Sequence, residues 1–159
     1  MKSTGAVVIT ISDRCARGQT QDRSGPTAVG VLERAGYAVS TELVPDGVAP
    51  IQAALQRALD GGARVVLTTG GTGLTPTDHT PEAVLPMLDR VIPGIAEEIR
   101  RQGVQQTPAA LLSRAVAGTI GPAFVLTMPG SPRAVTSALA VVMPLLEHIL
   151  SQVEGGDHG

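Results

Sequence analysis

The chain has 159 residues, of which 43% are hydrophobic and 16% charged, and its formal net charge is −2. This composition suits one folded domain with a sizeable core and excludes a disordered or fibrous chain. A slightly acidic balance with one Tyr, one Phe and no Trp also excludes the basic surface and aromatic platforms of a nucleic-acid binder.

Taken in chain order, Gly5–Ile11 is apolar and β-branched and predicts a buried strand ending in polar Ser12-Asp13. Arg14–Arg23 reads as a polar loop. A helix follows with Ser24 as N-cap, Pro26 in its first turn and Gly36 closing it. Tyr37–Val44 predicts a second strand, broken by the turn Pro45-Asp46-Gly47. In Ala49–Leu59 the apolar residues Ile51, Ala54, Leu55, Ala58 and Leu59 recur at helical spacing. Ala63–Thr69 has the continuous apolar centre of a strand covered on both faces, and it runs directly into Gly70-Gly71-Thr72-Gly73.

Thr80-Pro81-Glu82 opens another helix, which Pro86 should kink, and Pro93 starts a fresh segment with Ile95 and Ile99 inward. Thr107-Pro108 begins a short helix reaching Ser113-Arg114. The stretches 115–120 and 123–128 flank Gly121-Pro122 and predict a hairpin. Ser131-Pro132 opens a last helix with Val135, Leu139, Val142, Leu146 and Ile149 on one face. Residues 1–153 form one domain in this reading, and 154–159 form a flexible tail. Alternating strands and helices imply a three-layer α/β/α domain with a mostly parallel sheet and an added hairpin.

Several chemistries are absent. Cys15 is the single cysteine, so neither an intrachain disulfide nor a CxxC metal knuckle exists, and His79, His148 and His158 lack ligand spacing. Lys2 is the sole lysine, which removes the P-loop and lysine Schiff-base mechanisms. The N-terminus lacks a signal-peptide core and no apolar run reads as a membrane span, so the expected location is the cytoplasm.

In a parallel sheet, ligands bind beyond the carboxyl ends of the strands. Ser12-Asp13, Asp46, Gly70–Gly73 and Pro129-Gly130-Ser131 all fall at such ends. Three glycines in four positions let backbone amides converge on an anion. Asp78 precedes a helix start, so it is either a helix cap or a Mg²⁺ ligand beside phosphate. Asp46 is open to the same two readings, as a turn residue or as a ligand.

The segment TGGTGLTPTDHTPEA at 69–83 resembles the signature of the molybdopterin adenylyltransferases, a family that includes the gephyrin G domain. SDR at 12–14, DRSGP at 22–26, LSR at 112–114 and PGSP at 129–132 fit the same pattern in order. The resemblance implies a molybdopterin-binding fold, a homotrimer, and adenylylation of molybdopterin by MgATP with release of pyrophosphate. It carries catalysis and Mg²⁺ to Asp46 and Asp78. It carries substrate binding to Thr69, Gly70, Gly71, Thr72 and Gly73, to Ser113 and Arg114, to Pro129, Gly130 and Ser131, and to Ser12 and Asp13. ATP is then the co-substrate, and a downstream metal-insertion enzyme is a further candidate partner.

One departure stands out. Family members often carry a basic residue before the signature aspartate, where this chain has Thr77. The expected substitutes are Arg14, Arg17, Arg23 or Arg114. The alternative function is a non-catalytic pterin-binding or scaffold domain of the same fold.

Overall fold

The computed structural model describes residues 4–157; His158 and the end of the expected tail lie outside them. Its six strands are β1 (Gly5–Ile11), β2 (Ala38–Val44), β3 (Val65–Thr69), β4 (Arg90–Val91), β5 (Ala117–Ile120) and β6 (Ala123–Met128). They form one sheet in the order β2-β1-β3-β6-β5-β4. Pairing is parallel from β2 through β6, and antiparallel where β5 and β4 extend the edge. The hairpin is therefore present as expected. The two-residue strand β4 is an addition, too short to show any periodicity in sequence.

The helices are α1 (Asp13–Ala16), α2 (Ser24–Arg34), α3 (Val48–Asp60), α4 (Thr80–Val84), α5 (Pro93–Gly103) and α6 (Pro132–Val153), with 3₁₀ turns at Leu85–Met87 and Pro108–Leu112. Side chains of the central strands β1, β3 and β6 alternate between two cores, which is why these strands are apolar on both faces. Val65, Leu67, Phe124 and Leu126 meet Leu32, Ile95, Ile99, Val135 and Leu139 on the α2/α5/α6 side. Val66 and Val125 meet Ile51, Leu55, Ala83 and Val84 on the α3/α4 side.

Several expectations change. The segment read as a polar loop, Arg14–Arg23, begins inside the helix α1. Ser24 is the first helical residue and not the N-cap; Asp22 takes the capping role, because Gly25 N–H donates to its Oδ1 at 3.0 Å. At the start of the expected tail, Glu154 pairs with Arg64, and Gly155 N–H and Gly156 N–H donate to Gln152 O and Ser151 O. This is a Schellman closure, with Gly155 at φ +92°. Finally, α6 has 22 residues and a mean hydropathy of 1.6, so by length and composition it is apolar enough to cross a membrane, contrary to the reading of the sequence. Here it lays Val135, Ala138, Leu139, Val142, Leu146 and Leu150 into the core.

Candidate active site

Strand β3 ends on Thr69, and the next four residues turn sharply at the centre of the sheet's carboxyl edge. Their carbonyls are all engaged by the protein. Gly70 O accepts from Thr80 Oγ1 at 2.8 Å and Gly71 O from Thr80 N–H at 3.0 Å. Thr72 O accepts from Arg114 N–H at 2.8 Å and Gly73 O from Arg114 Nε at 2.9 Å. Gly70 N–H donates to Met128 O at 2.9 Å. Among the described residues, no acceptor sits on the N–H groups of Gly71, Thr72 or Gly73. Holding the carbonyls back and leaving successive amides free is what creates an anion-binding nest.

Gly71 is required by its backbone. Its φ is +69°, and a Cβ there would lie 2.3 Å from Thr80 Oγ1 and 3.3 Å from Asp46 Oδ1. Asp46 therefore lies close behind the nest. Its Oδ2 accepts from Asp13 N–H and Asp13 Oδ1 accepts from Asp46 N–H, both at 3.1 Å. That reciprocal pair ties the end of β1 to the end of β2. Burial pushes the Asp46 carboxyl up, against the lowering effect of the Asp13 N–H; the charges of Asp13 and Asp78 add to the rise, and His79 opposes it.

Asp78 does not cap α4, whose N-cap position is His79. Its Oδ2 instead accepts from Thr75 N–H at 2.9 Å and closes the turn 75–78, while Asp78 N–H donates to Thr75 O at 3.0 Å. A Cβ on Gly73 would lie 2.8 Å from that same Oδ2, so Asp78 rests directly on the nest. The Oδ1 atoms of Asp46 and Asp78 accept no hydrogen bond among the described residues.

A cleft of about 460 Å³ opens over the nest, large enough for a cofactor-sized ligand. Gly70, Gly71, Thr72, Gly73 and Asp78 form its floor, with Ser113 beside them and Pro129, Gly130 and Ser131 opposite. The remaining wall was not expected from sequence: Ile99, Arg100 and Gly103 from α5, Gln106, Thr107, Ala109, Ala110 and Leu112 around the 3₁₀ turn, and Arg133, Ala134 and Ser137 from α6. Apart from Leu112 in the LSR segment, these residues carry no local motif. Only the packing of α5 against α6 brings them to the nest.

The other expected site residues stand behind the cleft. Ser12 caps α1, its Oγ accepting from Cys15 N–H at 3.2 Å. The Thr69 hydroxyl is buried against Ser24 Oγ, which in turn bonds Asp22. The DRSGP segment thus anchors the last residue before the nest. Arg114 does not line the cleft either. Its guanidinium is taken up by Gly73 O, by Asp78 O at 3.0 Å and by Glu82, whose carboxyl it holds below the usual range. Arg114 is a brace for the nest and is committed to protein partners. Arg14, Arg17 and Arg23 are exposed and lie outside the cleft wall.

The family model described as "Probable molybdopterin binding domain" matches residues 7–148. A "Molybdenum cofactor biosynthesis bifunctional protein" of Synechococcus elongatus is 44% identical over 97% of this chain. The chain spans about half, 49%, of that relative. A "Molybdopterin adenylyltransferase" of Pyrococcus furiosus is 37% identical, over 90% of this chain and 87% of its own length. The solved "Molybdopterin biosynthesis Mog protein from Mycobacterium ulcerans" superposes with a TM-score of 0.91 at 39% identity, covering 95% of this chain and 99% of that one. By sequence over nearly its whole length and by fold, this chain belongs to the family of molybdopterin-binding domains.

Proposed function

We propose that this chain transfers the adenylyl group of ATP to the terminal phosphate of molybdopterin, releasing pyrophosphate. The observation that carries the reading is the nest itself: three free amides, with Asp78 resting on them, floor one cleft. In the transfer, a phosphate oxygen forms a bond to the α-phosphorus while the bond from that phosphorus to pyrophosphate breaks. The nucleophile is already ionised, so no general base is required, and the cleft wall offers no Ser-His or Cys-His pair. What the reaction demands is alignment and neutralisation of crowded negative charge.

The residues present suit Mg²⁺. Asp46 and Asp78 each keep one carboxylate oxygen free of protein donors, and Asp46 feels the charges of Asp13 and Asp78. No group of three or more His, Cys, Asp or Glu able to hold a metal occurs among the described residues. One or two carboxylates are a usual protein share for Mg²⁺, with substrate phosphates and water completing its shell. Bound there, the ion would neutralise phosphate charge. The Gly71–Gly73 amides would bind phosphate oxygens, and the short side chains around the cleft would exclude water from the reacting groups.

The proposal also includes a homotrimer in the cytoplasm. Exposed Leu43, Leu111, Leu112 and Leu145 supply apolar surface for subunit contacts, which sedimentation would test. The activity test is pyrophosphate release dependent on both ATP and molybdopterin, run beside Asp78→Asn. Asn keeps an acceptor for Thr75 N–H, so the turn should persist, while turnover should fall about 100-fold or more. Pterin binding without pyrophosphate release from the unsubstituted protein would favour a non-catalytic pterin-binding domain instead.

A further inference from the structure

We infer that Arg133, on the first turn of α6, binds substrate phosphate oxygens and supplies the cation that Thr77 does not. This rests on the proposed adenylyl transfer and adds a residue to it. The charged residues on the cleft wall are Asp78, Arg100 and Arg133. Asp46 lies behind the nest and off the wall, so an anion entering the cleft finds its cationic partners on the wall itself.

The two arginines differ in availability. Arg100 spends its Nη1 on Ser113 O at 3.3 Å and Ala115 O at 3.1 Å, holding the segment that leads into β5. Arg133 is exposed and has neither a hydrogen bond from its guanidinium nor an ion pair among the described residues. It shares its helix face with Ala134 and Ser137, whose short side chains leave room for a ligand beside the helix.

The backbone connects Arg133 to the nest over a short path. Gly70 N–H is bonded to Met128 O, and the turn 129–131 leads from there into α6, where Ser131 Oγ accepts from Ala134 N–H at 3.2 Å. That cap fixes the first turn of the helix relative to the nest. Thr77, by contrast, is exposed, and its hydroxyl meets Thr75 Oγ1 at 3.3 Å. A guanidinium fork can engage two phosphate oxygens at once, which suits a polyphosphate or phosphomonoester better than a lone hydroxyl does.

The test measures binding of MgATP and of molybdopterin, separately, by calorimetry to the intact protein and to Arg133→Gln, with Arg17→Gln as a charge-matched control outside the cleft. Melting temperature should be unchanged in both variants. Arg133→Gln should bind at least one ligand about 10- to 100-fold more weakly, as expected for loss of a charge-assisted hydrogen bond. The ligand affected identifies which phosphate Arg133 holds, and Arg17→Gln should bind normally. Equal binding of both ligands by Arg133→Gln and the unsubstituted protein would overturn this inference alone. An equal loss in Arg17→Gln would also overturn it, since the effect would then be general charge. If the unsubstituted protein binds neither ligand, the adenylyl-transfer reading falls and takes this inference with it.

Discussion

Replacing Arg114 by Met removes the brace while keeping an unbranched apolar stem. Two guanidinium hydrogen bonds to loop carbonyls disappear, to Gly73 O at 2.9 Å and Asp78 O at 3.0 Å, and so does the pair with Glu82. Hydrogen bonds to charged groups contribute about 1.5–3 kcal/mol each. The side chain is 33% exposed, so the lower figure applies. The Glu82 carboxylate side chain is 47% exposed, which limits that pair to about 0–1 kcal/mol. The loss is then about 3–4 kcal/mol. At about 2–4 °C per kcal/mol in a chain of this size, the melting temperature should fall by roughly 6–16 °C. Turnover should fall about 100-fold, since a shift of about 1 Å in a positioned group is enough for that. Arg114→Lys should recover only part of both losses, because one ammonium cannot span acceptors on residues 73, 78 and 82. Glu82→Gln should cost little, which separates the carbonyl bonds from the ion pair. Differential scanning calorimetry and pyrophosphate release on the same preparations decide the matter. A variant that melts with the unsubstituted protein and turns over normally would refute the brace. Unchanged stability with weakened nucleotide binding would make Arg114 a direct phosphate ligand, as the sequence first suggested.

Two further predictions address the carboxylates. Gly73→Ala places a methyl 2.8 Å from Asp78 Oδ2 at a residue without positive φ, so the carboxylate must move while the fold holds. Turnover should drop more than about 10-fold with little change in melting temperature; normal turnover would show that the position of Asp78 is not critical. For Asp46 the folded carboxyl titrates above its ordinary 3.8, so the native state holds this proton more tightly than the unfolded chain. Ionising it therefore costs stability as pH rises through the interval between the two values. Asp46→Asn keeps an acceptor for Asp13 N–H and removes that cost. It should be at least as stable as the unsubstituted protein at neutral pH, and the difference should close as pH falls below the ordinary carboxyl value. Turnover should nevertheless be lower by about 100-fold. Melting curves across pH that show the variant less stable at neutral pH would contradict the sign of this argument.

Much of the local structure was legible because its causes are local. The apolar centre of Val65–Thr69, the glycines that follow it and the proline starts at Pro81, Pro93 and Pro132 depend on neighbours a few residues away. They marked the strand, the nest and the helix openings directly. The nest was identified as anion-binding from its glycines, but which of its polar groups stay free was decided by Thr80 and by two residues distant in the chain, Met128 and Arg114. Asp78 illustrates the limit. Its position before a helix suggested a cap, yet its carboxylate turns back to accept from Thr75 N–H, in a turn that Asp78 N–H also closes on Thr75 O. Arg114 shows the same limit: the LSR segment offered it for substrate binding, and Arg133, just past the PGSP segment, carried no signal at all. Packing brings carbonyls and a carboxylate to the Arg114 guanidinium and, among the described residues, none to that of Arg133. A side chain's charge is written in the sequence, but whether that charge is already spent depends on which distant acceptors packing brings within about 3 Å.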